Sequence, residues 1–427
     1  MDIYLGLGSN VGDRRTNLVR AIEALEQRGV RVARLSPVVE SPALLPDGAL
    51  ANWSRPFLNL IAQCGTDHDP ESLLRESKRI EAELGRGEAD KWAPRPIDID
   101  ILLWGREQIS SGRLKVPHHE IERRNFVLTP LIALNPSLTI PGLGAKTVLE
   151  WSLELQHHIP LWMGIFNLTP DSFSDGGELA DWARIEMQVE QAVAAGAQIV
   201  DLGAESTRPG AEPLSADREW SRLAPVLEQL VDKYADQRLR PLISVDTYHA
   251  DVARSALALG ADMINDVSGL TSPEMIELAA ASDADFVAMH SVTLPADPAR
   301  TLPAGCDPCG TVERWLGERI YIWDRAGVDL NRVIFDPGIG FGKDPLQSLK
   351  LLRDAGRFRR SGLRCLVGHS RKSFMKNFAA DDNLALDLAT AGASMNLVAQ
   401  GVDILRVHNA PLHAAAYIGW AHLKQFG

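Results

Sequence analysis

The sequence predicts two α/β domains: a ferredoxin-like α+β sandwich over residues 1–157, followed by a TIM (β/α)8 barrel over residues 158–427. The first domain is indicated by the order strand–helix–strand, which occurs twice in succession. The barrel is indicated by eight apolar runs that alternate with helical patterns. Polar residues follow these runs, as expected if the strands end on one common face that carries an active site.

The composition narrows the class of protein. The 427 residues include 45% hydrophobic and 23% charged residues and carry a formal net charge of −12, which is typical of a globular protein and argues against a nucleic-acid partner. The first residues lack a basic segment, and no long apolar run follows them, so we expect neither a signal peptide nor contact with a membrane. Four cysteines do not form a disulfide framework in a chain this long. We therefore expect a cytoplasmic protein.

The first domain contains alternating strand and helix patterns. We predict a strand over Ile3–Gly8, a helix over Arg14–Gln27, strands over Val30–Glu40 and Pro56–Cys64, a helix over Pro70–Leu84 and a strand over Ile97–Trp104. The glycine-rich stretch from Gly6 to Gly12 is not a dinucleotide motif, because its third glycine comes one residue late. We interpret this stretch as a tight loop that leads into the first helix.

Two carboxylates mark the last of these strands. Asp98 and Asp100 are two residues apart, so both side chains point to the same face of a strand. Carboxylates held this close repel each other unless a cation lies between them, and Mg²⁺ is the cation that such oxygen ligands suit. The alternative interpretation is a polar sheet face with two solvated acids.

Basic and aromatic residues near this strand favour a phosphate-containing ligand. Five cationic side chains lie within reach in the sequence, namely Arg86, Arg95, Arg113, His118 and Arg124. Trp92 and Phe126 can stack on a flat heterocycle. The sequence contains no P-loop motif, so a nucleotide would bind here without one.

These motifs resemble 6-hydroxymethyl-7,8-dihydropterin pyrophosphokinase across the whole domain. The matching segments are Gly6–Asn10, Phe57–Asn59, Arg79–Glu81, Gly85-Arg86, Trp92–Ile101 and Val116–His118. The resemblance implies that Asp98 and Asp100 hold two Mg²⁺ ions with ATP and that Arg86 and Arg95 neutralise the transferred group. It further implies ATP contacts from Trp92, Arg113, His118 and Arg124, and pterin contacts from Leu44, Phe57, Asn59 and Phe126.

The second domain contains the eight apolar runs. They are Leu161–Phe166, Gln198–Leu202, Pro241–Val245, Met263–Asn265, Asp285–Met289, Val333–Phe335, Leu363–Val367 and Ile404–Val407. Gly196, Gly260 and Gly401 each stand just before a run, where a helix C-cap is expected. Eight such units predict a TIM barrel, and a doubly wound sheet is the alternative.

Polar residues stand at the ends of these runs and are expected to meet above the barrel. They are Asn167, Asp201, Glu205–Gly210, Asp246, Asn265-Asp266, His290, Asp336–Gly338, His369–Lys372 and Arg406–His408. Any one of them alone could be a helix cap or a buried core group. Asp246, Asn265, Asp336 and Lys372 suit the edge of a pterin, while Asn167, Arg406 and His408 suit pyrophosphate and its Mg²⁺. We expect Ser370 and Arg371 to open a helix and to bind a carboxylate there.

The same motifs resemble dihydropteroate synthase over the whole domain. The matching segments are Asn167–Gly177, Glu205–Gly210, Ser244–Thr247, Asn265–Val267, Asp336–Lys343, Ser370–Ser373 and Arg406–His408. The resemblance implies that one Mg²⁺ ion and pyrophosphate leave the pterin and that the amine of para-aminobenzoate attacks. It places Met289 with the pterin-binding residues named above. It also implies that Phe173, Thr207, Arg208, Pro209 and Ser370 contact aminobenzoate or pyrophosphate.

The favoured hypothesis is a bifunctional enzyme of folate biosynthesis. The first domain would transfer pyrophosphate from ATP to 6-hydroxymethyl-7,8-dihydropterin, and the second would condense the product with para-aminobenzoate to 7,8-dihydropteroate. The alternative is a methyltransferase-type pterin-binding barrel fused to a pterin kinase. The barrel resemblance also implies a homodimer through its helices. We expect no partners other than small-molecule substrates and a second copy of the chain.

Overall fold

The structure is a computed structural model that describes residues 2–45, 48–87, 92–155, 158–168, 178–205, 213–297 and 299–424. The chain divides into two compact units. One comprises Met1–Ile159 with Ile418–Gly427, and the other comprises Pro160–Tyr417. Within the described ranges, no helix combines the length and the apolar character needed to cross a lipid bilayer.

The first unit is a four-stranded antiparallel sheet with one short additional strand. Its first elements are β1 (Ile3–Ser9), α1 (Arg14–Gln27), β2 (Val30–Leu35), β3 (Val39–Ser41), β4 (Phe57–Thr66), α2 (Pro70–Glu83) and β5 (Asp98–Trp104). The strand order is β2-β4-β1-β5, and β3 pairs with the end of β4 that β2 leaves free. This order is that of a ferredoxin-like sandwich, which confirms the predicted fold class.

The segment predicted as one strand over Val30–Glu40 is interrupted after Leu35. Ser36 is buried, and its backbone N–H donates to the carbonyl of Ile61 (2.9 Å) while its Oγ accepts from the N–H of Ile61 (2.9 Å). Pro37 has no N–H to continue the ladder. The hydroxyl therefore replaces a backbone acceptor at the break, and pairing with β4 resumes in β3.

The two long helices of this unit begin at capping residues. Asp13 accepts from the N–H of Thr16 (3.1 Å) at the start of α1, and Asp69 accepts from the N–H of Ser72 (2.9 Å) at the start of α2. The remaining elements are β6 (Ile109–Ser110), β7 (Lys115–Val116), α3 (Asn125–Leu134) and α4 (Val148–Ser152). A capping box between Thr147 and Glu150 starts α4.

The second unit is a closed barrel of eight parallel strands. They are β8 (Leu161–Asn167), β9 (Ile199–Gly203), β10 (Leu242–Asp246), β11 (Met263–Asp266), β12 (Asp285–Met289), β13 (Val333–Asp336), β14 (Arg364–Val367) and β15 (Ile404–Val407). All eight predicted runs are barrel strands. Because β15 pairs with β8, the sheet has no free edge, and the doubly wound alternative is wrong.

A helix follows each barrel strand. The helices are α5 (Glu178–Ala194), α6 (Ala216–Tyr234), α7 (Ala250–Leu259), α8 (Pro273–Ala280), α9 (Pro308–Arg325), α10 (Pro345–Arg353), α11 (Asn383–Ala399) and α12 (Ala410–Lys424). Gly260 ends α7 with a φ of 118° and donates to the carbonyl of Ala256 (3.2 Å), as its position in the sequence predicts.

A buried ion pair closes the opposite end of the barrel. Asp285 is the first residue of β12 and Arg364 is the first residue of β14, and their two hydrogen bonds measure 2.8 and 2.9 Å. Both side chains are buried. Groups at this end of a TIM barrel support stability, whereas the carboxyl ends of the strands carry the chemistry.

Candidate active sites

In the first unit, a glycine of β1 separates the strands that carry the predicted site residues. Gly8 pairs with Asn59 of β4 on one side and with Asp98 of β5 on the other. Residues paired across an antiparallel sheet share a face, so these side chains and that of Asp100 lie together. A Cβ atom at Gly8 would lie 3.1 Å from Asn59 Oδ1 and 3.5 Å from the ring of Phe57. The buried backbone of Gly8 therefore separates the amide from the carboxylate with no side chain of its own between them.

Two arginines neutralise the first carboxylate of the pair. Arg86 Nη1 donates to Asp98 Oδ1, and Arg95 Nη1 lies 3.0 Å from Asp98 Oδ2. Burial acts to raise the pKa of Asp98, but the charges of Arg95 and Arg86 outweigh it and lower the pKa. Burial raises the pKa of Asp100 to about 6, and the charge of Asp98 adds to that effect. This pair of desolvated oxygen donors fits a divalent cation such as Mg²⁺.

Glu81 belongs to this site and was not among the predicted site residues. Its Oε2 lies 2.8 Å from Arg86 Nη1, and its Oε1 accepts from the N–H of Ile99 (2.8 Å) and from Lys78 Nζ (2.7 Å). Glu81 thus fixes the guanidinium that contacts Asp98. The available signal was a carboxylate on the buried face of α2, since acids are rarely buried without a partner.

Two of the predicted nucleotide-binding residues, His118 and Arg124, lie close enough together for the charge of Arg124 to affect His118. His118 donates its backbone N–H to Leu102 (2.9 Å), and its buried Nδ1 has no partner among the described residues. Burial, with the charges of His119 and Arg124, lowers the pKa of His118 to about 4. Arg124 lies over the ring of Phe126, 5.8 Å from its centre. This places a cation beside an aromatic surface.

Three further predicted residues lie nearer the surface. Trp92 and Leu44 are exposed, so both are accessible to a ligand. Arg113 lies in the turn between β6 and β7, where its N–H donates to Ser111 Oγ (3.4 Å). Among the described residues, no ion pair joins Arg113 to Asp98 or Asp100. The structure therefore does not bring Arg113 into the carboxylate cluster.

In the barrel, a row of residues crosses the carboxyl ends of four neighbouring strands. Gly203 of β9 pairs with Asn167 of β8 and with Asp246 of β10, which in turn pairs with Asn265 of β11. A Cβ atom at Gly203 would lie 3.5 Å from Asp246 Cβ and 3.8 Å from Asn167 Oδ1. The glycine leaves open the space between the two predicted polar groups.

Arg406 joins Asp246 of this row to a second carboxylate, that of Asp201. Its Nε donates to Asp201 Oδ2 (2.7 Å), and its Nη2 donates to Asp246 Oδ2 (2.5 Å). Asp201 is fully buried and also accepts from Ser244 Oγ (2.6 Å) and Asn265 Nδ2 (3.4 Å). Burial raises the pKa of Asp246 to about 7, although the charge of Arg406 opposes the shift. The sequence predicted Asp201 as one of the polar residues at the strand ends, but it did not predict that Asp201 holds Arg406.

Lys372 and Asp336 complete the polar set that was predicted for the pterin. Burial raises the pKa of Asp336, while a hydrogen bond from the N–H of Gly338 (2.7 Å) and the charge of Lys372 lower it. The charge of Lys372 also opposes the raised pKa of Asp246. Lys372 Nζ lies 4.3 Å from the centre of the Phe341 ring. One lysine therefore acts on both carboxylates. Met289, buried in the barrel wall, pairs with Asp336 across β12 and β13.

A second lysine closes the glycine-rich loop after β13. Lys343 Nζ lies 2.7 Å from both the carbonyl oxygen and Nδ1 of His290, and both side chains are buried. A Cβ atom at Gly338 would lie 1.9 Å from that carbonyl oxygen, so only glycine fits. Burial, with the charge of Lys343, lowers the pKa of His290 to about 3. His290 was predicted only as one of the polar strand ends and Lys343 only as part of a matching motif, and the contact between them was not predicted.

Ser370 and Arg371 do not open an α-helix, and this prediction is wrong. A 3₁₀ turn begins at Ser373, and α11 begins only at Asn383. Arg371 adopts a φ of 52° and forms hydrogen bonds of 2.7 and 2.8 Å with Asp387 of α11. That ion pair turns its side chain to α11. Ser370 Oγ instead contacts His408, 2.9 Å from its Nδ1 and 3.2 Å from its N–H, so these two predicted anion-binding residues meet.

Two polar strand ends have structural roles, as the simpler interpretation allowed. Asp266 accepts from the N–H groups of Ser268 (2.7 Å) and Leu270 (2.8 Å) and shapes its own loop. His369 is fully buried, 2.9 Å from Ser394 Oγ, and burial lowers its pKa to about 4. The predicted residues Phe173, Thr207, Arg208 and Pro209 lie outside the described residues.

Family models match both units of the chain. The model for 7,8-dihydro-6-hydroxymethylpterin-pyrophosphokinase (HPPK) matches residues 4–136, and the model for pterin binding enzymes matches residues 163–408. The Folate synthesis bifunctional protein of Chlamydia muridarum is 37% identical over 98% of each chain. The mitochondrial Folate synthesis bifunctional protein of Arabidopsis thaliana is 33% identical over 97% of this chain and 82% of its own.

Solved structures match the barrel. Dihydropteroate synthase of Xanthomonas albilineans, solved with 4-aminobenzoic acid, has a TM-score of 0.56 and 34% identity over 62% of this chain and 93% of its own. The enzyme of Anaplasma phagocytophilum, solved with bound 6-hydroxymethylpterin-monophosphate, has the same TM-score and identity over 62% of this chain and 99% of its own.

The fold and the two polar sites define a two-domain pterin enzyme, in which a ferredoxin-like domain precedes a TIM barrel. The chain belongs to the family of bifunctional folate-synthesis proteins. It has a hydroxymethyldihydropterin pyrophosphokinase domain and a dihydropteroate synthase domain and carries both activities. The structural matches are to dihydropteroate synthases and support this assignment rather than a methyltransferase-type barrel.

Proposed function

We propose that residues 1–157 transfer pyrophosphate from ATP to the hydroxymethyl oxygen of the pterin, with AMP leaving. The arrangement of Asn59 and Asp98 on either side of the bare Gly8 backbone supports this. The amide edge of the pterin would bind at Asn59, whose Nδ2 donates to Ser41 Oγ (2.9 Å). Leu44, Phe57 and Phe126 supply apolar contacts to the ring.

The phosphates of ATP lie on the carboxylate side of that pocket. Arg86 and Arg95 already contact Asp98, so they are placed to share the charge of the transferred group. Trp92, Arg113, His118 and Arg124 contribute to nucleotide binding. Asp98 and Asp100 would hold two Mg²⁺ ions, which would supply positive charge to offset that of the ATP phosphates.

We further propose that residues 158–427 bind the pterin product at the polar row and join it to para-aminobenzoate. Asp246, Asn265, Asp336 and Lys372 recognise the pterin edge, and Met289 packs against it. Arg406, Ser370 and His408 bind the pyrophosphate, with Asn167 as a ligand of one Mg²⁺ ion. Phe173, Thr207, Arg208 and Pro209 contact aminobenzoate and exclude water.

The protonation of the barrel site supports this division of roles. Burial raises the pKa of Asp246 to about 7 and the charge of Arg406 opposes that shift; the ionised carboxylate would stabilise positive charge as it develops on the pterin. Arg406 lies between Asp246 and Asp201 and can turn its remaining donors to the departing pyrophosphate. Lys372 balances Asp246 and Asp336.

Two further proposals concern the state of the protein. We infer a homodimer through the barrel, because Leu346 and Leu349 of α10 and Leu384 and Leu388 of α11 expose apolar side chains. Light scattering of a Leu384→Lys variant tests the dimer. If the variant remains a dimer, the interface must lie elsewhere.

We also infer that the protein works in a reducing compartment such as the cytoplasm, since all four cysteines are free thiols.

A one-pot assay with ATP, Mg²⁺, 6-hydroxymethyl-7,8-dihydropterin and labelled para-aminobenzoate tests both chemical proposals. Asp98→Ala should abolish AMP formation and leave condensation intact when pterin pyrophosphate is supplied. Lys372→Ala should do the reverse. Loss of both activities in Asp98→Ala would refute two independent sites, and full condensation by Lys372→Ala would remove Lys372 from the synthase site.

A further inference from the structure

A cluster of buried polar atoms without hydrogen-bond partners among the described residues lies beside the barrel site and has no role in the function proposed above. Glu205 follows β9, Glu219 lies in the first turn of α6, and His249 immediately precedes α7. One oxygen of each carboxylate and one ring nitrogen of the histidine all lie within 4.8 Å of one another. Three separate elements of the barrel therefore place potential metal ligands around one point.

Each carboxylate in this cluster has one engaged oxygen and one unengaged oxygen. Glu205 Oε1 accepts from the hydroxyl of Tyr248 (2.8 Å), and Glu219 Oε2 accepts from Thr247 Oγ1 (2.9 Å). Glu205 Oε2, Glu219 Oε1 and His249 Nε2 are buried without a hydrogen-bond partner among the described residues. The Glu205 side chain is 6% exposed and Glu219 is 1% exposed. Buried acceptors of this kind normally have a partner.

The types of residue in this cluster suit a transition-metal ion better than Mg²⁺. Glu205 Oε2 and His249 Nε2 are 3.5 Å apart, and two ligands bound tetrahedrally to Zn²⁺ at about 2.1 Å are about 3.4 Å apart. The hydroxyls of Tyr248 and Thr247 act as outer partners that orient the two carboxylates. An imidazole nitrogen favours Zn²⁺ or Co²⁺ over Mg²⁺, which prefers oxygen ligands. Within the described part of the chain, no lysine or arginine forms an ion pair with either glutamate.

We propose that Glu205, Glu219 and His249 bind a divalent transition-metal ion of the Zn²⁺ class, separate from the Mg²⁺ positions at Asp98/Asp100 and Asn167. The ion links the end of β9 to the starts of α6 and α7. With three protein ligands, one coordination position remains for water.

Co²⁺ is the probe for this site because its visible absorption reports coordination. The full-length chain is stripped with a chelator, supplied with excess Mg²⁺ to fill the oxygen-rich positions, and titrated with Co²⁺. We expect one Co²⁺ ion to bind per chain, with absorption bands that indicate a low coordination number. Zn²⁺ should displace the bound Co²⁺, whereas Mg²⁺ should not. His249→Gln and Glu219→Gln should each weaken binding by at least about tenfold. His68→Gln, at a histidine of the first domain that contacts the carbonyl of Arg28, is the matched control and should bind as the wild type does.

X-ray absorption of the wild-type Zn²⁺ form keeps the test decisive if a variant fails to fold. The expected spectrum contains one imidazole together with oxygen ligands at about 2.0–2.2 Å. A coordination shell without imidazole would overturn the proposal, as would equal Co²⁺ affinity in the wild type and a folded His249→Gln variant. Absence of Co²⁺ binding in the presence of Mg²⁺ would overturn it too.

Discussion

The barrel site depends on Asp201, a residue that touches no substrate in the proposed binding mode. Asp201 accepts from Arg406 Nε (2.7 Å) and Ser244 Oγ (2.6 Å) and is fully buried. In Asp201→Asn the side chain loses its negative charge. An NH₂ group also replaces one of the two carboxylate oxygens, so a donor faces Arg406 or Ser244, which are donors themselves. A charged hydrogen bond contributes about 1.5–3 kcal/mol, and a buried donor left unpaired costs about 1–3 kcal/mol. The two contributions together predict that the barrel loses about 2.5–6 kcal/mol of stability.

The activity should fall as well, because Arg406 loses the group that orients it toward Asp246 and the pyrophosphate. A loss of about 2 kcal/mol in transition-state stabilisation corresponds to about a 30-fold fall in kcat/KM for condensation. Inhibition by pyrophosphate should weaken in parallel. AMP formation by the first domain should stay at the wild-type level, which provides an internal control for folding of that domain.

Asp285→Asn is the matched control for this prediction. Its bidentate pair with Arg364 is also buried, but it lies at the opposite end of the barrel strands. Hydrogen exchange of peptides from β9 and β12 measures the stability of the barrel alone. Both variants should lose protection, but only Asp201→Asn should lose condensation activity. Equal loss of activity in the two variants, or wild-type activity in Asp201→Asn, would refute the positioning role.

Three further variants test other contacts. Glu81→Gln should raise the KM for ATP and lower kcat at least about tenfold, because it weakens the hold on Arg86; unchanged kinase kinetics would contradict this. Gly338→Ala should destabilise the barrel by about 2–4 kcal/mol in hydrogen exchange, because its methyl group meets the His290 carbonyl; a change below about 0.5 kcal/mol would show that the loop can move aside. The pKa of His369 is about 4 when folded and about 6.5 when unfolded, so the unfolded chain binds more protons between these values. Stability should therefore fall by up to about 3 kcal/mol as the pH drops from 6.5 to 4, and His369→Asn should remove that part of the slope; an identical pH profile would show that His369 does not cause it.

Much of the fold could be predicted because burial leaves a direct mark on the sequence. A barrel strand is covered on both faces, so Leu161–Phe166 is apolar throughout and the other seven runs are mostly apolar. The residues that follow such runs must meet, which is why Asp246, Asp336 and Arg406 could be placed in one site without a structure. The break after Leu35 was missed because it depends on a single hydroxyl, Ser36 Oγ, that replaces a backbone acceptor.

Parts of the site could not be predicted because their roles arise from contacts distant in the chain. Glu81 and Arg86 are close in sequence, but their function depends on Asp98 of strand β5. Asp201 and Arg406 are 205 residues apart. Ser370-Arg371 looked like a helix start, whereas the ion pair with Asp387 fixes the segment as a turn. Local sequence patterns indicate which residues are buried, but they do not indicate which residues from distant parts of the chain are in contact.

The two bare-backbone positions have a practical consequence for inhibitors. Gly8 and Gly203 each lie between two polar side chains of neighbouring strands, and on the proposed binding mode each forms the floor beneath a ligand. On the proposed binding mode, a compound that rests flat on either floor uses the same surface as the natural ligand. A larger residue at Gly8 or Gly203 that prevents the inhibitor from binding would therefore also prevent the natural ligand from binding. Escape mutations should therefore arise at the rims of these pockets, and contacts to the floors should be the most durable ones for a chemist to build on.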